Sequence, residues 1–222
     1  MTDVIDLRAF YDKTGRAKYI SHLDVARCMQ RAVKRAELPV WYTEGFNPHI
    51  YLNFALPLSL GYESTSEIMD FRLTRPLPLD EVRDRLNAAL PPDIRITAVA
   101  EPRHKTEEIA SAIFDIRLSA EGVDGPALQE GFGRFWARPA IEVEKKTKKG
   151  KKIVDLKPDC EVLAAEAEAD GLALSLKTAA GSVKNINPSL VIDAFLADAG
   201  IASANVQVLR REVLLADGSR FE

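Results

Sequence analysis

The chain has 222 residues, 46% of them hydrophobic and 28% charged, with a formal net charge of −3. That balance is ordinary for a globular protein and excludes wholesale disorder. The longest apolar run, around Phe54 to Leu60, is broken by Pro57 and too short to cross a bilayer.

The opening Met1-Thr2-Asp3-Val4-Ile5-Asp6 has neither the basic nor the apolar part of a signal peptide. A cytoplasmic protein without membrane contact is expected. Cys28 and Cys160 are the only cysteines, too few for a disulfide framework, a zinc knuckle or a cysteine-held iron–sulfur cluster, so neither metal nor cofactor is expected. The charge is unevenly spread. Residues 13–35 hold seven basic side chains against Asp24 alone, and residues 142–157 hold seven lysines against three acids. Local potential governs attraction more than net charge does, so an anionic partner stays open in an acidic chain.

Residues 4–11 alternate apolar and polar as a half-buried strand does. Asp12-Lys13-Thr14-Gly15 reads as a tight turn, and Ala17 to Ile20 as renewed extended chain. Ser21 fits a helix N-cap with Asp24 three residues on, in a capping-box-like position. The helix runs to about Glu37 and stops at Leu38-Pro39. Val40 to Tyr42, Ile50 to Phe54 and Glu67 to Leu73 read as strands, Pro78 to Leu90 as a helix, and Ile94 to Ala100 as a strand. A second round follows. Ile113 to Leu118 is a strand, Asp124 to Trp136 a helix, and Ile141 to Glu144 with Ile153 to Leu156 the arms of a lysine-rich hairpin with Gly150 at its tip. Glu161 to Glu166 and Leu172 to Lys177 pair around Asp170-Gly171, a helix starts at Asn187-Pro188, and Asn205 to Leu214 is the last strand. The predicted fold is α+β, two tandem ferredoxin-like βαββαβ units over residues 1–105 and 106–222.

Arg27, Arg31, Lys34 and Arg35 share one helical face, while Val25, Met29, Ala32, Val33 and Ala36 can cover the other. Such a face is either the solvated side of a core helix or a phosphate-tracking stripe, for which the guanidinium fork is suited. Lys145, Lys146, Lys148, Lys149, Lys151 and Lys152 fall within eight residues and repel one another. They read as a solubilising loop, a contact for RNA phosphates, or a contact for an acidic protein; lysine alone would supply salt-sensitive affinity without sequence choice. His22 lies in the first turn of its helix, where the dipole favours the neutral ring. It is either a structural hydrogen-bonder or a general acid or base. The exposed-junction set Tyr19, Ser21, Asp24, Tyr42, Glu44, Phe46, Asn47 and His49 combines turn chemistry with rings on which bases could stack, or which pack in a core.

Tyr19-Ile20-Ser21-His22-Leu23-Asp24, Arg31-Ala32, Leu38-Pro39, Glu44-Gly45-Phe46-Asn47-Pro48-His49, Phe54-Ala55-Leu56-Pro57-Leu58 and Gly61 form a recognisable series. With Lys148-Lys149-Gly150-Lys151 to Asp155 and Asn187-Pro188-Ser189 to Leu196, the chain resembles the uncharacterised radical-SAM-linked protein family. That family is a bacterial domain of unknown function, found beside or fused to a radical SAM protein. The chain has Asn187-Pro188 where the family pattern has Arg-Pro. The resemblance implies a radical SAM protein as partner. Two distant cysteines exclude the chain itself as that enzyme. A fold-level resemblance to CRISPR-repeat endoribonucleases would cast His22 as general acid or base and Lys18 or Arg27 as oxyanion stabiliser, though their glycine-rich C-terminal loop is missing. Three expectations follow: a non-catalytic accessory module binding structured RNA (tRNA or rRNA), a docking adaptor without RNA, and a metal-independent endoribonuclease.

Overall fold

The computed structural model describes residues 4–147 and 150–222, for Lys146 and Thr147 the backbone alone, and shows an α+β fold. Two compact units divide it: residues 4–108 with Phe221–Glu222, and Ile109–Arg220.

The first unit runs β1 (Ile5–Lys13), α1 (His22–Arg35), β2 (Leu52–Phe54), β3 (Glu63–Leu73), α2 (Leu79–Ala89) and β4 (Ile94–Ala100). Its strands are antiparallel, in the order β4-β1-β3-β2. Alternation along β1 and β3 sorts the two sheet faces. Leu7, Ala9 and Tyr11 of β1 with Met69, Phe71 and Leu73 of β3 enter a core shared with Val25, Met29 and Val33 of α1 and Val82 and Leu86 of α2. Each large apolar side chain fully buried there contributes roughly 1.5–3 kcal/mol. The other face carries cross-strand ion pairs. Arg8 donates to both carboxylate oxygens of Asp70, at 2.7 and 3.0 Å, and Arg72 to Asp6 at 2.6 Å. The Arg8 side chain is only 1% exposed; it lies over the Phe221 ring at 4.4 Å and donates to the Glu222 carbonyl.

The second unit runs β5 (Ser111–Ser119), α3 (Gly125–Trp136), β6 (Glu142–Thr147), β7 (Gly150–Asp155), β8 (Cys160–Glu168), β9 (Gly171–Ala179), α4 (Ser189–Asp198) and β10 (Asn205–Leu214). The sheet order is β10-β5-β9-β8, and β6 pairs with β7 alone as a separate ribbon. Phe132 and Phe135 of α3 meet Phe195 of α4 with centroids 5.2 and 5.7 Å apart. Asp124 caps α3 through the Ala127 amide. Gly125 is required behind that cap: a Cβ there would stand 1.8 Å from the Glu168 carbonyl.

Several predicted elements change form. Ala17 to Ile20, expected to be extended, belongs to a 3₁₀ turn over Gly15–Tyr19. The turn is held from far along the chain: the Gly15 amide donates to Glu63, and the Arg16 amide to Asp93. β1 continues through Lys13, which was assigned to a turn. The strands expected at 40–42 and 50–54 shrink to isolated bridges, Val40 with Leu73 and Tyr42 with Ile50, and the three residues of β2. α1 ends two residues early because Glu37 takes a left-handed φ of 51°. Gly150, expected at the hairpin tip, is the first residue of β7.

The buried guanidinium sets a prediction. Asp70→Ala removes its counter-charge and is expected to cost about 3 kcal/mol, whereas Arg8→Met, which removes the charge and refills the space, costs much less. Urea unfolding midpoints of the two variants check this; equal losses would contradict it.

Candidate nucleic-acid interface

The entry to α1 is built as the sequence predicts. The Ser21 hydroxyl accepts from the Asp24 amide at 3.2 Å and donates to the Asp24 carboxylate at 2.7 Å. That hydroxyl, and next Arg27 at 3.1 Å, hold the Asp24 carboxyl below its ordinary range. The buried side of α1 is Val25, Met29, Ala32 and Val33, with Ala36 just beyond the helix also buried. Arg27, Arg31, Lys34 and Arg35 all remain exposed, but they are not equivalent. Arg27 is held by Asp24, and Arg35 donates to the Ala89 carbonyl at the end of α2. Arg31 and Lys34 stand without a hydrogen bond or ion pair among the described residues.

His22 presents its ring edge to Phe54, with centroids 5.2 Å apart. Lys18 pairs with Glu63 at 3.8 Å and lies 5.4 Å from the Tyr19 ring centre. No hydrogen bond or ion pair among the described residues links His22 to Lys18 or Arg27. Tyr19 itself is 69% exposed. No group of three or more potential metal ligands stands together among the described residues.

The loop from Thr43 to His49 closes on itself. The Thr43 amide donates to the His49 carbonyl at 2.8 Å, the His49 amide to the Thr43 hydroxyl at 3.1 Å, and His49 Nδ1 lies 3.1 Å from the Asn47 carbonyl. The same nitrogen lies 3.0 Å from the Thr43 hydroxyl, so the ring is held by both ends of the loop. Closure leaves Glu44 and Asn47 in solvent, Tyr42 largely so, and Phe46 fully exposed. The nearby Tyr51 ring is engaged: the Arg72 guanidinium lies 4.5 Å from its centre and 5.3 Å from that of Trp41. Neither this cluster nor the contact of Lys157 with Trp136 at 4.2 Å was expected. Arg72 lies 31 residues from Trp41 and 21 from Tyr51, and Lys157 lies 21 from Trp136, so no local spacing announces either contact.

The β6–β7 ribbon places lysine opposite lysine. In the backbone register Lys145 stands opposite Lys152 and Lys146 opposite Lys151. Like charges directly opposite destabilise a strand pair by roughly 0.2–1 kcal/mol. Two contacts offset part of this: Lys145 donates to the Asn185 carbonyl at 2.6 Å and Lys151 pairs with Glu144 at 2.7 Å. Lys152 has no such partner among the described residues. Lys148 and Lys149 lie outside the described residues, as does the Lys146 side chain. The root of the ribbon is pinned by Asp155, which accepts from the Ile141 amide at 2.9 Å and the Lys157 amide at 3.1 Å.

Residues 7–188 match a single family across most of the chain. The chain belongs to the uncharacterized proteins conserved in bacteria designated DUF2344. No curated protein sequence matches it. Among solved structures, the Cbf5-Nop10-Gar1 complex is similar at 13% identity and a TM-score of 0.50, over 93% of this chain and 48% of that one. The archaeal box H/ACA sRNP Nop10-Cbf5 complex is similar at 12% identity and a TM-score of 0.43, over 92% and 46%. The chain therefore spans about half the length of these two solved chains. At 13% identity the likeness to the first of them is one of fold alone. Among the described residues no helix is long and apolar enough to cross a membrane.

Asp155 supplies a prediction. The amides of Ile141 and Lys157 hold its carboxyl below the ordinary aspartate range. A folded value below the unfolded one means that its stabilisation is complete at neutral pH and is lost as pH falls through the lowered folded value. Side-chain NMR titration is expected to show Asp155 protonating below the usual range, with the Ile141 and Lys157 amides losing exchange protection in the same step.

Proposed function

We propose that this DUF2344 chain is a non-catalytic RNA-binding module, acting as an accessory to a radical SAM enzyme. The observation that carries the RNA reading is the Lys145–Lys152 and Lys146–Lys151 register. An isolated folded protein gains nothing from holding lysines opposite one another, whereas a row of phosphates turns the same repulsion into affinity. Arg31 and Lys34 on α1 provide a second cationic surface. The fold likeness to the Cbf5-Nop10-Gar1 complex contributes no functional argument. The strand order β4-β1-β3-β2, repeated as β10-β5-β9-β8 with the ribbon inserted, supports reading the units as tandem ferredoxin-like domains. The radical SAM partner rests on the resemblance carried by the segments from Tyr19 to Gly61.

A second reading, docking to that partner without RNA, draws on Phe46. A fully exposed aromatic on a loop closed by Thr43 and His49 is preorganised to enter an apolar pocket. The nuclease reading has no comparable support, since His22 faces Phe54 and has no hydrogen-bonded acid or base partner among the described residues.

The RNA reading is tested by fluorescence anisotropy with structured RNA across a salt series. Affinity is expected to fall steeply with salt, and Lys152→Ala to reduce the slope of log K against log salt by about 0.7–0.9. Lys152→Glu is the sharper variant: it places a carboxylate opposite Lys145, so it should slow amide exchange in the ribbon while weakening RNA binding. Salt-independent binding, or full RNA affinity in Lys152→Glu, would contradict the reading.

A further inference from the structure

α1 turns a stripe toward α2 that differs from its solvent-facing side. Cys28, Arg31 and Arg35 are spaced i, i+3 and i+7. Beside them a cleft of about 720 Å³ is lined by Cys28 and Arg35 of α1 and by Arg85 and Ala88 to Pro91 at the end of α2. The guanidiniums in and beside it have different commitments. Arg85 pairs with Glu81 one turn back, and Arg35 is anchored to the Ala89 carbonyl. Arg35 also supplies the cation that the end of α2 lacks, since the last turn of that helix has no basic residue. Arg31 remains uncommitted among the described residues, and acts electrostatically on the Cys28 thiol together with Arg35. The cleft thus combines the apolar side chains of Ala88 to Pro91 with guanidinium donors in it and beside it.

We propose that the α1–α2 cleft receives one unpaired nucleotide of an RNA strand, with its phosphate on Arg31 and Arg35 and its base against Ala88 to Pro91. The inference rests on the RNA reading above and adds that the bound strand is single-stranded at this point. The volume suits a single nucleotide, and a base within a duplex is stacked on both faces and cannot lie on a protein surface. The guanidinium fork matches phosphate oxygens, and the apolar surface of Ala88 to Pro91 can cover the face of any base. An acidic peptide would satisfy the guanidiniums and leave that surface uncovered.

Cys28 makes the cleft observable. Its thiol is half-buried in the cleft, whereas Cys160 is buried in the second unit with its thiol pushed up to about 12. Burial also raises the Cys28 thiol, so labelling is run at mildly alkaline pH. With the full chain and a short oligouridylate at a concentration that saturates anisotropy, labelling of Cys28 by a thiol-specific disulfide reagent is expected to slow about tenfold. Arg31→Glu should abolish that protection and weaken binding about tenfold, with its unfolding midpoint unchanged because the side chain is exposed. Lys152→Ala should weaken binding but keep full protection once saturated. Saturating oligouridylate that leaves Cys28 as reactive as before would overturn the cleft while leaving the RNA reading intact. Equal protection by polyglutamate would assign the cleft to an acidic protein instead. Absence of binding to any RNA would end both readings.

Discussion

Because β1 pairs with β3 so that Ile5 lies opposite Leu73, every second residue of each strand is committed to the same side. Leu7 and Ala9 then meet Phe71 and Met69 beneath the helices, and Arg8 and Asp6 meet Asp70 and Arg72 on the opposite face. A shift of one residue would bury the guanidinium of Arg8 among aliphatic side chains and expose the apolar row, so the register is strongly specified. The buried Arg8–Asp70 pair reinforces that specification more than it adds net stability, because desolvation offsets much of its Coulomb gain. With the core-facing side of the sheet settled, Val25, Met29 and Val33 can seat α1 in only one rotation. That rotation sends Lys34 outward and sets Cys28 and Arg35 at the α1–α2 cleft with Arg31 exposed beside them.

The second unit handles charge differently. Its sheet and the aromatic contacts of Phe132, Phe135 and Phe195 form an ordinary core, and the ribbon of β6 and β7 is paired only with itself. The lysines of the ribbon are not dispersed as solubilising charges would be. Backbone pairing brings them face to face, and Asp155 at the root ties the ribbon to Ile141 and Lys157. Compensation is partial, through Asn185 and Glu144, and leaves Lys152 to solvent. A cationic ribbon on a firm base and an arginine-bearing helix are complementary means of holding a polyanion: lysine as point charges, arginine as oriented forks.

Local signals in the sequence were sufficient where the structure itself is local. The Ser21–Asp24 cap, the apolar face of α1, the strand at Ile94–Ala100 and the last strand at Asn205–Leu214 all follow from short-range periodicity and capping chemistry. Legibility failed where distant residues decide. The 3₁₀ turn at Gly15–Tyr19 depends on acceptors supplied by Glu63 and Asp93, which no window around residue 17 contains. The peptide between α1 and β2 has the composition of strand but forms only single bridges, because Val40 meets Leu73 at the very end of β3 and Tyr42 meets Ile50 of the same peptide. In the candidate interface, the four basic residues of α1 were identifiable as a group, yet their division was not: Asp24 engages Arg27 and the Ala89 carbonyl at the end of α2 engages Arg35, which leaves Arg31 and Lys34 uncommitted among the described residues. The lysine cluster was plain from composition, but its charge conflict became visible only with the strand register.

The most direct test of this account is ultraviolet crosslinking of the tagged protein to RNA in its own cells, followed by mass spectrometric location of the nucleotide adducts. Adducts are predicted on the ribbon between Ile141 and Lys157 and on α1 between His22 and Arg35, lost after nuclease treatment before irradiation. Recovery of a protein partner without RNA adducts, in amounts unaffected by nuclease, would contradict RNA binding and leave a docking module centred on the exposed loop of Phe46.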